Sequence, residues 1–547
     1  MIDLMRMRLP GTRQIATKLY TARTLAAAGL ARPRRPDRLA AMAAAFARFG
    51  STPAAGYAAG AAAYPNAVAI VDERGSLTYR QVHERSNAVA NALREDGVRE
   101  GDGVAIMCRN HRGWIDAVVA CSKLGAHVLL MNTSFSGPQV ADVCAREKPV
   151  AVIYDEEFTD CVKDACRRRR RYVAWSDGAR REPTLDDLAL TGSRAGLRGP
   201  SSPGKQIILT SGTTGTPKGA TRGQPKTLDP AAALLGVIPL RTGESTMIAA
   251  PLFHAWGFAH FILGMSLGST LVLRRRFEPE PTLALTARHR CTTLAVVPVM
   301  LQRILELPEE ALSRHDLSAL RVVAVSGSAL PGPLADRWMD RFGENLYNLY
   351  GSTEVAWATI ATPEDLRAAP GTAGRPPHGT TVRIYDDDDR PIDEPGRTGR
   401  IFVGNEMQFE GYTGGGGKPV LDGLMSAGDV GHFDAEGRLF VDGRDDDMIV
   451  SGGENVFPSE VEDLLHGHDA IADVTVFGIP DEAFGQRLRA VVVRRAGREI
   501  DEAAVKAYVK DNLASYKVPR DVVFVDELPR TATGKVLKRE LRDDAAA

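Results

Sequence analysis

The sequence predicts an α/β protein, and three observations carry that prediction. From Ala67 onward, short apolar β-like runs alternate with helix-length segments, the pattern of strands covered by helices. Several of these runs lead directly into short polar strings containing glycine, as expected when ligand loops sit at strand ends. A chain of 547 residues with 44% hydrophobic content is also ample for several sizeable cores.

Residues 1–50 differ from everything that follows. Ten Lys and Arg against Asp3 and Asp37 give a net of +8, and Leu39, Met42, Phe46 and Phe49 recur at helical spacing. Two readings stay open for this arm: a basic amphipathic helix lying on anionic lipid, and a helix packed against the protein's own surface. Strands are expected over 67–71, 103–107, 127–131 and 150–154. The run Arg167 to Arg171 is a solvated face with at most an acidic contact. Residues 206–209 form a short apolar run, and 321–325 and 345–350 continue the β-like pattern. The stretch 247–273 has only His254 and His260 as ionisable residues and is long enough to raise a membrane span. Pro251, Gly257, Gly264 and Gly268 divide it into loop, helix and strand, so it is read as buried. After Arg444 a smaller unit follows, with strands over 474–479, 488–493 and 522–525 and a helix over 502–513.

Charge and cysteine usage narrow the function. With 68 basic and 69 acidic residues the net charge is -1, so no global field recruits nucleic acid. The six cysteines form no CxxC pair and no metal-ligand spacing, which predicts reduced thiols and no structural zinc. Arginines interrupt the N-terminal apolar residues, so no export signal is expected, and the location expected is cytoplasmic, with the basic arm as the candidate contact to the inner face of a membrane.

The most informative stretch runs from Leu209 to Gly219. Gly212, Gly215 and Gly219 permit backbone conformations that expose N–H groups; Thr210, Ser211, Thr213 and Thr214 add hydroxyls, and Lys218 adds a positive charge. That composition suits a nucleotide triphosphate. It is not a Walker A loop, because Lys218 lies between Pro217 and Gly219.

The order of residues in this loop resembles the phosphate loop of the adenylate-forming superfamily, which includes acyl-CoA synthetases, firefly luciferase and peptide-synthetase adenylation domains. Further strings resemble that family in the same order: Pro251-Leu252-Phe253-His254, Ser326-Gly327-Ser328-Ala329, Tyr350-Gly351-Ser352-Thr353-Glu354, Ala427-Gly428-Asp429, Gly443-Arg444-Asp445-Asp446 and Thr533-Gly534-Lys535. The resemblance implies a large AMP-binding domain over 51–444 and a smaller, mobile α+β domain over 445–547. It also implies ATP, Mg²⁺ and CoA as the groups bound, with acyl-AMP as the intermediate.

Roles come with the resemblance, residue by residue. Lys535 is implied as the catalytic lysine, His254 as a positioning residue between acyl pocket and nucleotide, and Glu354 with Thr210 as the magnesium ligands. Glu354 also fits a helix-start carboxylate, with Ser352 or Thr353 capping a following helix. The nucleotide is implied to meet Ser211 to Gly215, Lys218, Ser328, Ala329, Asn348 and Tyr350 to Thr353. Asp429 accepts from the ribose hydroxyls and Arg444 donates to them. Trp256 and Gly327 join His254 in the acyl pocket, Asp446 is the hinge, and Gly452 and Gly453 border a thiol channel. Ala427 departs from the family's usual threonine, and Gly414 to Gly417 form an unusually flexible run before Lys418.

Phe253 is followed by His254 rather than by the aspartate that pairs an amino acid's ammonium, so a simple organic acid is expected. The apolar stretch from Trp256 and the basic arm point to a medium- or long-chain fatty acid. An aryl-CoA ligase, a fatty-acyl-AMP ligase and a catalytically silent lipid-binding protein are the alternatives. A homodimer is compatible with the sequence.

Overall fold

Four sheets organise the chain, and each strand expected from the apolar runs lies in one of them. The computed structural model describes residues 10–178, 183–211, 217–223, 225, 227–445, 449–451, 454–481, 485–514, 517–531 and 534–543. The first sheet has eight strands. Its centre is parallel and runs Leu346–Tyr350, Val322–Val325, Thr293–Val296, Ser245–Ile248, Thr270–Leu273, Val68–Asp72, with an antiparallel strand at each end. The parallel strands are mostly buried, as in a sheet covered on both faces.

The second sheet has seven strands, with Gly103–Met107, His127–Leu130, Ala151–Asp155 and Arg170–Trp175 parallel on one side. On the other side Gln206–Ser211 and Pro217–Arg222 form an antiparallel hairpin. The arginine run ends in Arg170–Trp175, which is the sheet's edge strand. Charged side chains there discourage pairing with another chain.

The third sheet was not legible from the apolar runs. Its six antiparallel strands include Thr381–Tyr385, Gly399–Gly404, Leu424–Phe433 and Leu439–Arg444. The fourth belongs to the small C-terminal domain and joins Ile471–Asp481, Gly485–Arg494 and Asp521–Val525, with helices Pro458–His466 and Glu502–Asn512 covering it. The fold is therefore mixed α/β, with a large N-terminal and a small C-terminal domain.

Two expectations need correction or refinement, and a third, for 247–273, holds. Cys144 and Cys166 form a disulfide, contrary to the expected free thiols; 22 residues separate them in sequence, a spacing that carries no signal, and the fold brings their Cα atoms to 6.3 Å. Cys108, Cys121, Cys161 and Cys291 are free. The arm forms two helices, Pro10–Ala27 and Pro36–Phe49. The first packs on the helix Asp229–Leu235, with the Thr21 hydroxyl donating to Asp229 and the Tyr20 ring stacked 3.9 Å from that of His378. On the second, Phe49 is buried against Ala54 and Ala55, whereas Leu39 and Phe46 are exposed, so the expected apolar face is divided between core and surface. Within 247–273 the chain forms a loop, the helix Ala255–Ser266 and the strand Thr270–Leu273. Among the described residues no helix is long and apolar enough to cross a membrane.

Candidate active site

Parallel strands end on one edge, and the loops that leave that edge carry the motif residues. Pro251 to His254 follow Ser245–Ile248, Ser326 to Ala329 follow Val322–Val325, and Gly351 to Glu354 follow Leu346–Tyr350. Together they line a cleft of about 1580 Å³. Asp429 and Arg444 enter it from the antiparallel sheet, Lys218 from the hairpin and Lys535 from the small domain.

Local chemistry fixes these positions. Asp429 and Arg444 are register partners on neighbouring strands, so acceptor and donor sit side by side. The Tyr350 hydroxyl donates to Asp429 Oδ2 at 2.6 Å. Burial, then the charge of Asp429, holds the Tyr350 phenol well above its ordinary value, so it stays a donor. Burial also raises the Asp429 carboxyl, while the Tyr350 hydrogen bond and the charges of Arg444, Lys535 and Lys418 oppose the rise. In Gly351 a Cβ would strike the carbonyl oxygen of Ala356, so this turn closes only around glycine.

No helix follows Glu354. Ser352 Oγ instead accepts the backbone N–H groups of Glu354 and Val355, each at 3.2 Å, which stabilises a turn and corrects the reading of a helix cap. Glu354 Oε1 accepts from the Tyr412 hydroxyl at 2.8 Å. The Lys218 ammonium lies 5.5 Å from the Tyr412 ring centre, so one tyrosine joins the hairpin cation to the carboxylate.

His254 precedes the helix Ala255–Ser266, and its Nε2 is buried without a hydrogen-bond partner. Burial, with the charge of Lys535 second, lowers the imidazole to about 3. It is therefore neutral at physiological pH, and its buried Nε2 is available to orient a ligand. Trp256 is buried, with its indole N–H donating to the Val296 carbonyl at 3.1 Å. Asn348, Gly327, Ser328 and Ala329 also line the cleft.

Lys535 reaches the site from a tight turn of the small domain. Its N–H meets Thr531 Oγ1 at 3.2 Å, and its carbonyl accepts from the Thr531 N–H at 2.8 Å. Gly534 has φ of 80°, and a Cβ there would lie 2.5 Å from Val299 Cγ1 of the large domain. The glycine thus permits both the turn and the close approach that aims the lysine inward. The lysine's own surface stays open to the cleft, while the surrounding walls lower its ammonium, burial first and Arg444 second, against Asp429 and Glu354.

Sequence reasoning missed two members of this cluster, Tyr412 and Lys418, neither of which sits in a motif string. Of the expected site residues, Gly212, Thr213, Thr214, Gly215, Asp446, Gly452 and Gly453 lie outside the described residues, as do the side chains of Thr210 and Ser211.

Comparison with known proteins identifies the family. Residues 57–413 match the AMP-binding enzyme family and residues 460–535 match the AMP-binding enzyme C-terminal domain. The chain is 34% identical over 490 residues to a feruloyl-CoA synthase of an Amycolatopsis species, covering 87% of this chain and 96% of that protein. It is 33% identical to an indoleacetate–CoA ligase of Aromatoleum aromaticum, covering 87% and 95%. A solved anthranilate–CoA ligase in complex with anthranoyl-AMP superposes with a TM-score of 0.80 at 26% identity, covering 90% and 97%.

Proposed function

The chain belongs to the AMP-binding enzyme family and carries that family's C-terminal domain as well, and from this premise we propose that it activates a medium- or long-chain fatty acid. It is an adenylate-forming acid–CoA ligase. The carboxylate attacks the α-phosphate of ATP and pyrophosphate leaves; the thiol of CoA then attacks the acyl carbon, and AMP leaves. Two anions must meet in the first step, so positioning and charge neutralisation are the main work.

Lys535 stabilises the charge developing between carboxylate and α-phosphate. Asp429 and Arg444 hold the ribose diol, Tyr350 packs on the adenine, and His254 orients the acyl carboxylate through its unpartnered Nε2. Glu354 fits magnesium: its Oε1 is bonded to Tyr412, no described residue engages Oε2, and one hard carboxylate plus phosphate oxygens and water is the set Mg²⁺ prefers. Bound magnesium supplies neutralisation of the departing pyrophosphate. The boundary between the two domains falls near Arg444, where the antiparallel sheet ends.

The observation that carries the substrate reading is the apolar part of the cleft's lining. Trp256, Phe258, Ile262 and Leu263 face the cleft from one helix, and Pro230, Ala231 and Leu234 from another. None of these is charged, so the wall suits a hydrocarbon and offers an ammonium nothing. Aryl acids are the second reading, favoured by the relatives named for feruloyl and indoleacetyl substrates. Pyrophosphate release with octanoate, palmitate, ferulate and indoleacetate, each with and without CoA, separates the two. Because a buried methylene contributes roughly 0.8 kcal/mol, kcat/KM should rise several-fold for each methylene the pocket encloses, and ferulate should fall below both fatty acids. The reverse order would assign the wall to aryl acids.

The exposed residues of the arm support a peripheral contact with the inner face of a membrane. Ile15 and Leu19 on the first helix and Leu39 and Phe46 on the second are exposed large apolar residues, with Lys18, Arg23, Arg35 and Arg38 among them. The full chain should co-sediment with vesicles containing anionic phospholipid, and Ile15→Ser with Leu19→Ser, Leu39→Ser and Phe46→Ser should release it. Equal binding by both proteins would remove the membrane from the account.

A further inference from the structure

We infer that Lys418 is a second phosphate-binding cation of this site, mounted on the large domain and contacting the adenylate's α-phosphate. The inference rests on the assignment of the cleft to a nucleotide.

The glycine run upstream is what delivers the lysine. Gly415 and Gly416 are both left-handed, with φ of 86° and 85°, a pair of conformations that side chains disfavour strongly. The turn closes on itself, Gly415 N–H donating to the Tyr412 carbonyl at 2.9 Å and Tyr412 N–H to the Gly416 carbonyl at 3.3 Å. The chain then reverses, and the Pro419 carbonyl is tied to Ser426 N–H at 2.8 Å. Lys418 is thereby held beside the Ala427-Gly428-Asp429 string. A run that reads as loose in sequence is a fixed turn with a cation at its exit.

The ammonium ends on the backbone of that string. A Cβ on Gly428, whose φ is 79°, would lie 2.9 Å from Lys418 Nζ. No described residue forms an ion pair or hydrogen bond with Lys418, although it is half-buried, lines the cleft and acts electrostatically on Asp429. A half-buried ammonium with donors to spare is a group waiting for an anion. Lys218, Lys418, Arg444 and Lys535 line the cleft with Glu354 and Asp429, and the whole lining holds eight Lys and Arg against six Asp and Glu. The surplus of two positive charges complements the magnesium complex of ATP, which is a dianion.

Position separates the work of the two lysines. Lys535 belongs to the small domain and can leave with it; Lys418 stays with the nucleotide. Ala427, buried at the start of that string, has no hydroxyl to donate, and the Lys418 ammonium beside it supplies donors there.

Titrations of the full chain with AMP and with adenosine test this, because only AMP carries the phosphate. Lys418→Ala should weaken AMP roughly 10- to 100-fold and leave adenosine within about twofold, and Lys418→Arg should restore most of the AMP affinity. Lys418→Met, which keeps the stem, should behave like the alanine variant and guards against a folding defect. Parallel losses for AMP and adenosine, or an unchanged AMP affinity, would overturn the inference. The ligase reading fails on a different observation, absence of pyrophosphate release by the wild type with every acid, so the two failures are distinguishable.

Discussion

Lys535→Ala should slow pyrophosphate release by roughly a thousandfold while leaving transfer from preformed acyl-AMP to CoA within about tenfold of wild type. Two unit charges at about 4 Å interact by roughly 4 kcal/mol at an effective dielectric near 20, and each ~1.4 kcal/mol is a factor of ten in rate. Lys535 lines the cleft that also holds Asp429, Glu354 and His254, where the proposal has carboxylate and α-phosphate meet. The thioester step develops its charge at the acyl carbon and needs a thiol there, not an ammonium at the phosphate. Single-turnover measurements of each half-reaction provide the check. Equal losses in both would make Lys535 a structural residue or one that acts throughout.

Gly534→Val should lower the adenylation rate by roughly 30- to 100-fold with Lys535 intact. A left-handed φ costs an L residue about 1–2 kcal/mol, and here the new Cβ also meets Val299 at 2.5 Å across the domain interface. The turn must shift, and the lysine it carries shifts with it. A displacement of this kind is expensive because catalysis depends on reacting groups being held in place. Adding Val299→Ala opens space on the facing side and should recover part of the rate; the backbone cost remains. Quenched-flow measurement of acyl-AMP in the two variants reads this directly. Full activity in Gly534→Val would show that Lys535 does not depend on this docking.

Legibility followed burial. Strands of the parallel sheets, such as Gly103–Met107 and Val322–Val325, are buried on both faces and therefore announce themselves as unbroken apolar runs. The antiparallel sheet stays hidden because its strands mix faces: Thr381–Tyr385 alternates exposed and covered positions, and Leu424–Phe433 carries Ser426, Gly428, Asp429, Gly431 and His432. Helical spacing placed Phe46 and Phe49 on one helix yet could not say which the neighbouring helix covers. Cys144 and Cys166 meet only because a helix and the turn after the next return them to one place. In the site, many of the described motif residues do line one cleft, whereas Tyr412 and Lys418 join them through proximity that no string records.

The central claim, that this chain makes an acyl adenylate and hands it to CoA, meets its most direct test in a single-turnover chase. Wild-type protein in excess is mixed with radiolabelled ATP, Mg²⁺ and palmitate, quenched, and separated before and after CoA is added. The account predicts bound palmitoyl-AMP before CoA, and its conversion to palmitoyl-CoA and free AMP on addition. Palmitoyl-AMP that survives the CoA chase, or label that never leaves ATP, would contradict it.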